Sequence, residues 1–268
     1  MLTVHGLSYR HAGATRPSLV DLDLELGDGE VVGVVGANDS GKTTLCLVLA
    51  GLAPRIVGGI LTGRFSIDGA DAQALRMHEL PALVGIGFDD PATQLSGVAA
   101  TVFEEVAFGP ANMGVPRDEL IERTAGALES LAISHLAERD PARLSGGQQQ
   151  LVAIASILAL RPRHVVLDEP TAQLDPSGTA LVGDALERLA GQGVSILVVE
   201  HKTDLLARVA NRVVALDGGR VALEGPARDV LGDAALVDLG VAPPSDVRLR
   251  RAFVAAGLDP ARFEVPQS

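Results

Sequence analysis

The sequence predicts an α/β fold with a mixed sheet core, an antiparallel β subdomain at its start and a helical subdomain inserted in its middle. Three observations carry this expectation. First, Val31 to Val35, His164 to Leu167 and Ser195 to Val199 are short apolar runs of the kind that form parallel strands buried on both faces. Second, the first of these runs is followed by a glycine-rich turn and a helical pattern from Lys42 to Ala50, which makes a strand–loop–helix unit. Third, the stretch from about Asp90 to Ala159 is rich in helix formers and punctuated by Pro91, Pro110, Pro116 and Pro141.

The other elements follow in chain order. Leu2 to Tyr9 and Leu22 to Leu26 alternate as antiparallel strands do, separated by a Gly- and Pro-containing turn from His11 to Ser18. A helix is expected from Gln148 to Leu160. Asp217-Gly218-Gly219, between Val213-Val214 and Val221-Ala222, signals a hairpin. Pro243-Pro244 then leads into a last helical piece from Val247 to Ala256. These boundaries divide the chain into a main domain over 1–230, with the helical insertion at about 90–159, and a helical extension over 231–268. No internal repeat or low-complexity segment interrupts this plan.

Composition narrows the function classes. With 268 residues, 47% of them hydrophobic, the chain can bury a large core without staples. The single cysteine, Cys46, lies in the apolar run Leu45 to Ala50 and reads as a packed core thiol, in keeping with a reducing cytoplasm. The longest apolar stretch, Leu151 to Leu160, is well short of the about 20 residues a membrane span needs, and no signal peptide opens the chain. A formal charge of −12 argues against a nucleic-acid partner, because phosphate backbones are held by clustered Lys and Arg. Aromatic residues make up 3% of the chain and tryptophan is absent, which leaves no platform for stacking bases beyond Tyr9.

The chemistry is concentrated in short motifs. Gly36-Ala37-Asn38-Asp39-Ser40-Gly41-Lys42-Thr43, followed by Thr44, fits the phosphate loop G-x-x-x-x-G-K-[ST] in the strand-to-helix context that motif requires. Its backbone amides and the helix amino terminus favour the phosphates of ATP. Lys42 would reach the β- and γ-phosphates and Thr43 would ligate Mg2+. Val165-Val166-Leu167-Asp168-Glu169 is an apolar strand ending in two carboxylates, which suits Asp168 to a metal ion and Glu169 to polarising the attacking water.

Leu144-Ser145-Gly146-Gly147-Gln148, lying between those two motifs, resembles the signature sequence of ABC ATPases. Its two glycines stand at a predicted helix start, where free amides form an anion site. The resemblance implies a P-loop NTPase of the ABC type that hydrolyses ATP with Mg2+. It also implies that Ser145, Gly146, Gly147 and Gln148 cap the γ-phosphate held by a second ABC ATPase subunit in a head-to-tail dimer, homo- or heteromeric. By the same resemblance Tyr9 falls where an aromatic ring meets adenine, Thr171-Ala172-Gln173-Leu174-Asp175 is the D-loop at the dimer seam, and His201 is the switch histidine that senses γ-phosphate. Glu169, His201 and Lys42 would then carry catalysis.

Two positions depart from that family's pattern. Asp39 stands where glycine is usual and Asp89, in Phe88-Asp89-Asp90-Pro91, where glutamine is usual, and both place a carboxylate near the triphosphate. Asp tolerates left-handed backbone, and Asp89 can still offer Mg2+ an oxygen. Two readings stay open: an ordinary active subunit, or one half of an unequal pair whose own site binds or turns over ATP poorly. A non-transport ABC ATPase acting as a soluble regulator is a third. Phe88 to Gln94, Thr101 to Pro110, Leu239 to Pro244 and Ala256 to Pro260 resemble the ATPases of energy-coupling factor importers of vitamins and of cobalt or nickel. That resemblance implies a peripheral location on the inner face of the cell membrane, with the groove around Asp89 to Gly109 receiving an integral membrane subunit.

Overall fold

The computed structural model describes residues 1–259, so of the tail motif ending at Pro260 that last residue lies outside the described residues. The chain opens with β1 (Leu2–Arg10), β2 (Leu19–Leu26) and β3 (Val31–Gly36), then α1 (Lys42–Leu49), β4 (Ile60–Ile67), β5 (Ala70–Asp71) and β6 (Val84–Gly87). Strands β2-β1-β4-β5 form an antiparallel sheet in that order. The helical stretch follows as α2 (Val102–Asn112), α3 (Arg117–Ser130) and α4 (Gly146–Leu158). Next come β7 (His164–Asp168), α5 (Pro176–Gly191), β8 (Ser195–Val199), α6 (Thr203–Val209), β9 (Arg212–Asp217) and β10 (Arg220–Pro226). Helices α7 (Ala227–Gly232), α8 (Ala235–Asp238) and α9 (Ser245–Ala255) complete the described chain.

The central sheet has the order β10-β9-β3-β8-β7-β6, parallel throughout except for the β9–β10 hairpin. Because side chains alternate across a strand, β3 feeds two cores. Val32 and Val34 pack with the antiparallel sheet and α1, whereas Val31 and Val35 pack with the helices on the opposite face. Cys46 belongs to the first core, where burial pushes its thiol up. The helical stretch has no core of its own. Val102, Val106 and Leu128 bury in the same cluster as Val165 and Leu167 of β7, so α2, α3 and α4 are seated on the sheet.

The expected strands and helices form within a few residues of their predicted bounds. Helix α4 starts two residues before Gln148, because Ser145 and Gln148 close a capping box around its first turn. Strands β4 and β6 carried little signal. β4 is largely exposed, and β6 is only Val-Gly-Ile-Gly. Its Gly85 is there because α4 lies against it: a Cβ would stand 2.2 Å from Ile157 Cγ2. At the start of β7, His164 is buried with both ring nitrogens unpartnered, and burial holds its imidazole below its usual range. Among the described residues no helix is long and apolar enough to cross a membrane.

Candidate active site

Four neighbouring parallel strands end on one edge of the central sheet, and each delivers a segment singled out in the sequence. β3 runs into the glycine-rich loop, β8 into Glu200 and His201, β7 into Asp168 and Glu169, and β6 into Phe88 and Asp89. Ligands of open α/β sheets bind at this carboxyl edge. A cavity of about 620 Å3 lies here, lined by residues 38–44 together with His11, Ser18 and Glu169.

The loop is held by its own backbone and side chains. Asp39 adopts the left-handed backbone (φ 63°) that glycine would take more easily. Ser40 Oγ is buried without a partner. Lys42 is 5% exposed and donates from Nζ to the carbonyls of Gly36 and Ala37, both at 2.9 Å. Burial holds its ammonium below the usual range, although Glu169, Asp168 and Asp39 all draw it upward. Thr43 and Thr44 complete the wall, and Thr44 Oγ1 lies 3.2 Å from His11 Nε2.

Tyr9 is not placed to meet a base. It is wholly buried, its hydroxyl donates to the Gly58 carbonyl, and His11 stands edge-on against its ring with centroids 4.8 Å apart. The ring that lines the cavity is that of His11, two residues on and just past the end of β1. Sequence reading stopped at the only tyrosine and passed over this histidine.

Asp168 is 6% exposed and its Oδ1 is buried with no partner. Burial raises its carboxyl above the usual range, the charges of Glu169 and Asp89 add to that rise, and a hydrogen bond from Thr43 opposes it. A buried, half-satisfied carboxylate bonded to a hydroxyl is an oxygen donor set that fits Mg2+. Asp89 is exposed, and Gln173 Nε2 lies 3.4 Å from its Oδ2. The backbone before it is held by Gln94, which accepts from the Phe88 amide at 3.1 Å, and by Gln150, which donates to the Phe88 carbonyl at 3.2 Å.

Glu169 is in left-handed backbone (φ 51°), a conformation that costs a glutamate of order 1–3 kcal/mol and gathers at functional sites. Its amide donates to the Val199 carbonyl at 3.0 Å, and its Oε1 lies 2.9 Å from His201 Nε2. The carboxylate and imidazole thus stand within hydrogen-bond distance, with Glu169 lining the cavity. The residues flanking His201 were not anticipated. Glu200, 1% exposed, accepts from the amides of His201 and Lys202 and from the Thr171 hydroxyl. Lys202 Nζ donates to the Thr171 carbonyl at 2.7 Å, the Thr179 hydroxyl at 2.6 Å and the Leu174 carbonyl at 3.4 Å. This clasp fastens 171–174 to the His201 segment. An acidic residue closing a wholly buried strand was the available signal. Lys202→Met leaves those acceptors unanswered and is expected to destabilise the fold by about 2 kcal/mol, ~4–8 °C in melting temperature. An unchanged thermal transition would mean that the clasp contributes nothing.

The signature segment is not part of this cavity. Gly146 and Gly147 begin α4, whose capping box already uses the Gln148 amide, with Ser145 Oγ accepting from it at 3.4 Å. Gly147 also has a packing reason, since a Cβ there would stand 2.7 Å from Gly178 Cα in the first turn of α5. Asp175 caps that turn, its Oδ1 accepting from the Gly178 amide at 2.7 Å. The tail is tied to the same region: Thr203 donates to the Ala242 carbonyl at 2.8 Å, and Asp204 accepts from the Ser245 amide at 2.7 Å and hydroxyl at 2.9 Å.

Residues 19–172 match the ABC transporter family. The energy-coupling factor transporter ATP-binding protein EcfA of Methanothermobacter thermautotrophicus is 36% identical over 237 residues, 88% of this chain and 74% of that one. The structure of cbiO1 from Clostridium perfringens, described as part of the ABC transporter complex cbiONQ, superposes with a TM-score of 0.79 at 31% identity, covering 96% of this chain and 98% of the other. A dimeric ATP-binding cassette in a post-hydrolysis state with ADP and Pi superposes with a TM-score of 0.71 at 26% identity, over 85% of this chain and 99% of the other. The chain belongs to the ABC transporter family and is an ATP-binding, ATP-hydrolysing cassette of that family.

Proposed function

We propose that this cassette powers solute uptake as the ATPase subunit of an importer of the energy-coupling factor type. The observation that carries the motor reading is the Glu169–His201 pair, 2.9 Å apart, with Glu169 lining the phosphate-loop cavity. ATP is held by Gly36, Asn38, Asp39, Ser40, Gly41, Lys42, Thr43 and Thr44, with His11 rather than Tyr9 beside the base. Thr43 and Asp168, joined by Asp89, would hold Mg2+, which neutralises charge across the β- and γ-phosphates. Glu169 orients water in line with the γ-phosphate, and His201 and Lys42 steady the charge that develops.

Ser145, Gly146, Gly147 and Gln148 lie outside the chain's own cavity, which supports their serving the nucleotide of a second cassette. Asp175 would then sit at the seam. The related cassette solved as a dimer with ADP and Pi supports that arrangement. The importer subtype rests on EcfA and cbiO1, the latter matched over 96% of this chain. We take 1–230 as the ATPase domain and 231–268 as the extension. Exposed Val98 and Phe108 near Asp89 to Gly109 offer an apolar footing for a membrane subunit, which would hold the cassette at the inner membrane face.

A second reading, one half of an unequal pair, is favoured by the extra carboxylates: Asp39 bears on Lys42 and Asp89 on Asp168. The deciding experiment is Mg2+-dependent ATP hydrolysis by the purified chain, alone and mixed with its partner cassette, for wild type and Asp39→Gly. A carboxylate about 4 Å from a phosphate costs ~1 kcal/mol in water and more where shielded, so Asp39→Gly is expected to tighten ATP binding about fivefold or more. Glycine suits the left-handed backbone at this position, so the fold should tolerate it. Hydrolysis by the chain alone supports the active subunit. Hydrolysis only in the mixture supports the unequal pair, and no hydrolysis in either sinks both.

A further inference from the structure

At the opposite edge of the central sheet, three segments meet that the ATP site does not use. Asp28 lies in the turn before β3, Asp68 in the turn after β4, and His164 opens β7. Each offers one ligand atom, and the three atoms lie within 4.8 Å of one another. The two carboxylates are exposed, but His164 is 1% exposed and neither ring nitrogen has a partner. Buried polar atoms in native proteins are nearly always satisfied, so an imidazole with both nitrogens orphaned points to a ligand.

The space between the carboxylates already attracts positive charge. The Met1 amine lies 2.8 Å from Asp28 Oδ1 and 2.6 Å from Asp68 Oδ1, and Arg163 Nη1 lies 2.5 Å from Asp68 Oδ2. We infer that Asp28, Asp68 and His164 form a binding site for a divalent transition-metal ion of the Zn2+ class. One imidazole nitrogen and two carboxylate oxygens are Zn2+ ligands, and the nitrogen separates the site from the all-oxygen sets preferred by Mg2+ and Ca2+. A fourth position falls to water, with the Met1 ammonium displaced by the incoming ion. The bound ion pins the antiparallel sheet, through the turn after β4, to the first residue of β7. It is therefore a staple remote from hydrolysis, and the inference is independent of the importer reading.

The test is calorimetric titration of untagged, metal-stripped protein with ZnCl2 in the absence of nucleotide, alongside thermal unfolding. Wild type is expected to bind one Zn2+ at this site and to melt higher with it. Asp168→Asn should keep that binding, which separates it from the phosphate-loop cavity. His164→Val, a β-branched residue suited to a parallel strand, and Asp68→Asn should each weaken it by more than the about 10–100-fold that outer-shell partners contribute. Should His164→Val fail to fold, Asp68→Asn, at an exposed turn, decides alone. Zn2+ affinity unchanged in the folded variants, or no saturable binding by wild type, overturns the inference.

Discussion

Glu169→Gln is expected to lower ATP turnover by about 10^2–10^4-fold, the range a positioned general base contributes, while leaving ATP affinity near that of wild type. The substitution is nearly isosteric. The left-handed backbone at 169 is imposed by its surroundings, with the Glu169 amide donating to Val199 and its carbonyl accepting from the Ala172 amide at 3.0 Å, so glutamine inherits the same strain and the fold is preserved. The amide can still meet His201 Nε2, so the imidazole stays in place. What disappears is the negative charge that draws a proton from water. Binding depends chiefly on the loop over 36–44, which the change does not touch, so the loss should fall on kcat rather than on KM. Single-turnover hydrolysis with radiolabelled ATP, together with equilibrium nucleotide binding, separates the two. A variant that hydrolyses at the wild-type rate removes Glu169 from the chemistry and leaves His201 or water itself to act as base. A variant that no longer binds ATP assigns the residue to the ground state.

The parts of this architecture written in apolar runs were legible from the sequence; the parts written in close approach were not. Val31 to Val35 and Ser195 to Val199 announce themselves because strands buried on both faces read as near-continuous apolar runs rich in β-branched residues. β6 does not, since Ile157 of α4 crowds position 85 and Leu167 of β7 crowds position 87, which favours glycine at both, residues that ordinarily speak against a strand. The same contrast divides the site. The phosphate loop and the Asp168-Glu169 pair are each an unbroken motif at the end of an apolar strand, and that strand context placed them. The positions of Tyr9 and His11 depend on which ring the Gly58 turn covers, a contact across 49 residues that no local pattern encodes. Lys202 and Glu200 were passed over for a related reason. Each flanks a residue that drew the attention, and their partners at 171–179 approach only once β7 and β8 lie side by side.

Asp168→Asn is expected to make the metal-free protein more stable at neutral pH and to lower Mg2+-dependent hydrolysis by about a hundredfold or more, because metal stabilisation of developing charge is worth several kcal/mol. The two effects share one cause. Burial raises the Asp168 carboxyl above its ordinary value, and Glu169 and Asp89 reinforce the rise against the Thr43 hydrogen bond. A carboxyl whose folded value exceeds its unfolded one binds more protons in the native state, so native stability falls as pH rises from the ordinary carboxylate value to the raised one. Above that window the full penalty persists, and it is present at neutral pH. Asparagine removes it and can still accept from Thr43. Thermal unfolding across pH should therefore show wild type losing stability through this window without Mg2+, and the variant lacking that contribution. Added Mg2+ reverses the ranking, since the ion neutralises the charge that burial penalises and gains an oxygen that asparagine offers more weakly. An asparagine variant less stable than wild type at neutral pH without Mg2+ would show that the Thr43 bond is stronger to the carboxylate than to asparagine by more than the cost of burying the charge. The site would then be held together by the same contact that prepares it for the metal, rather than strained in its absence.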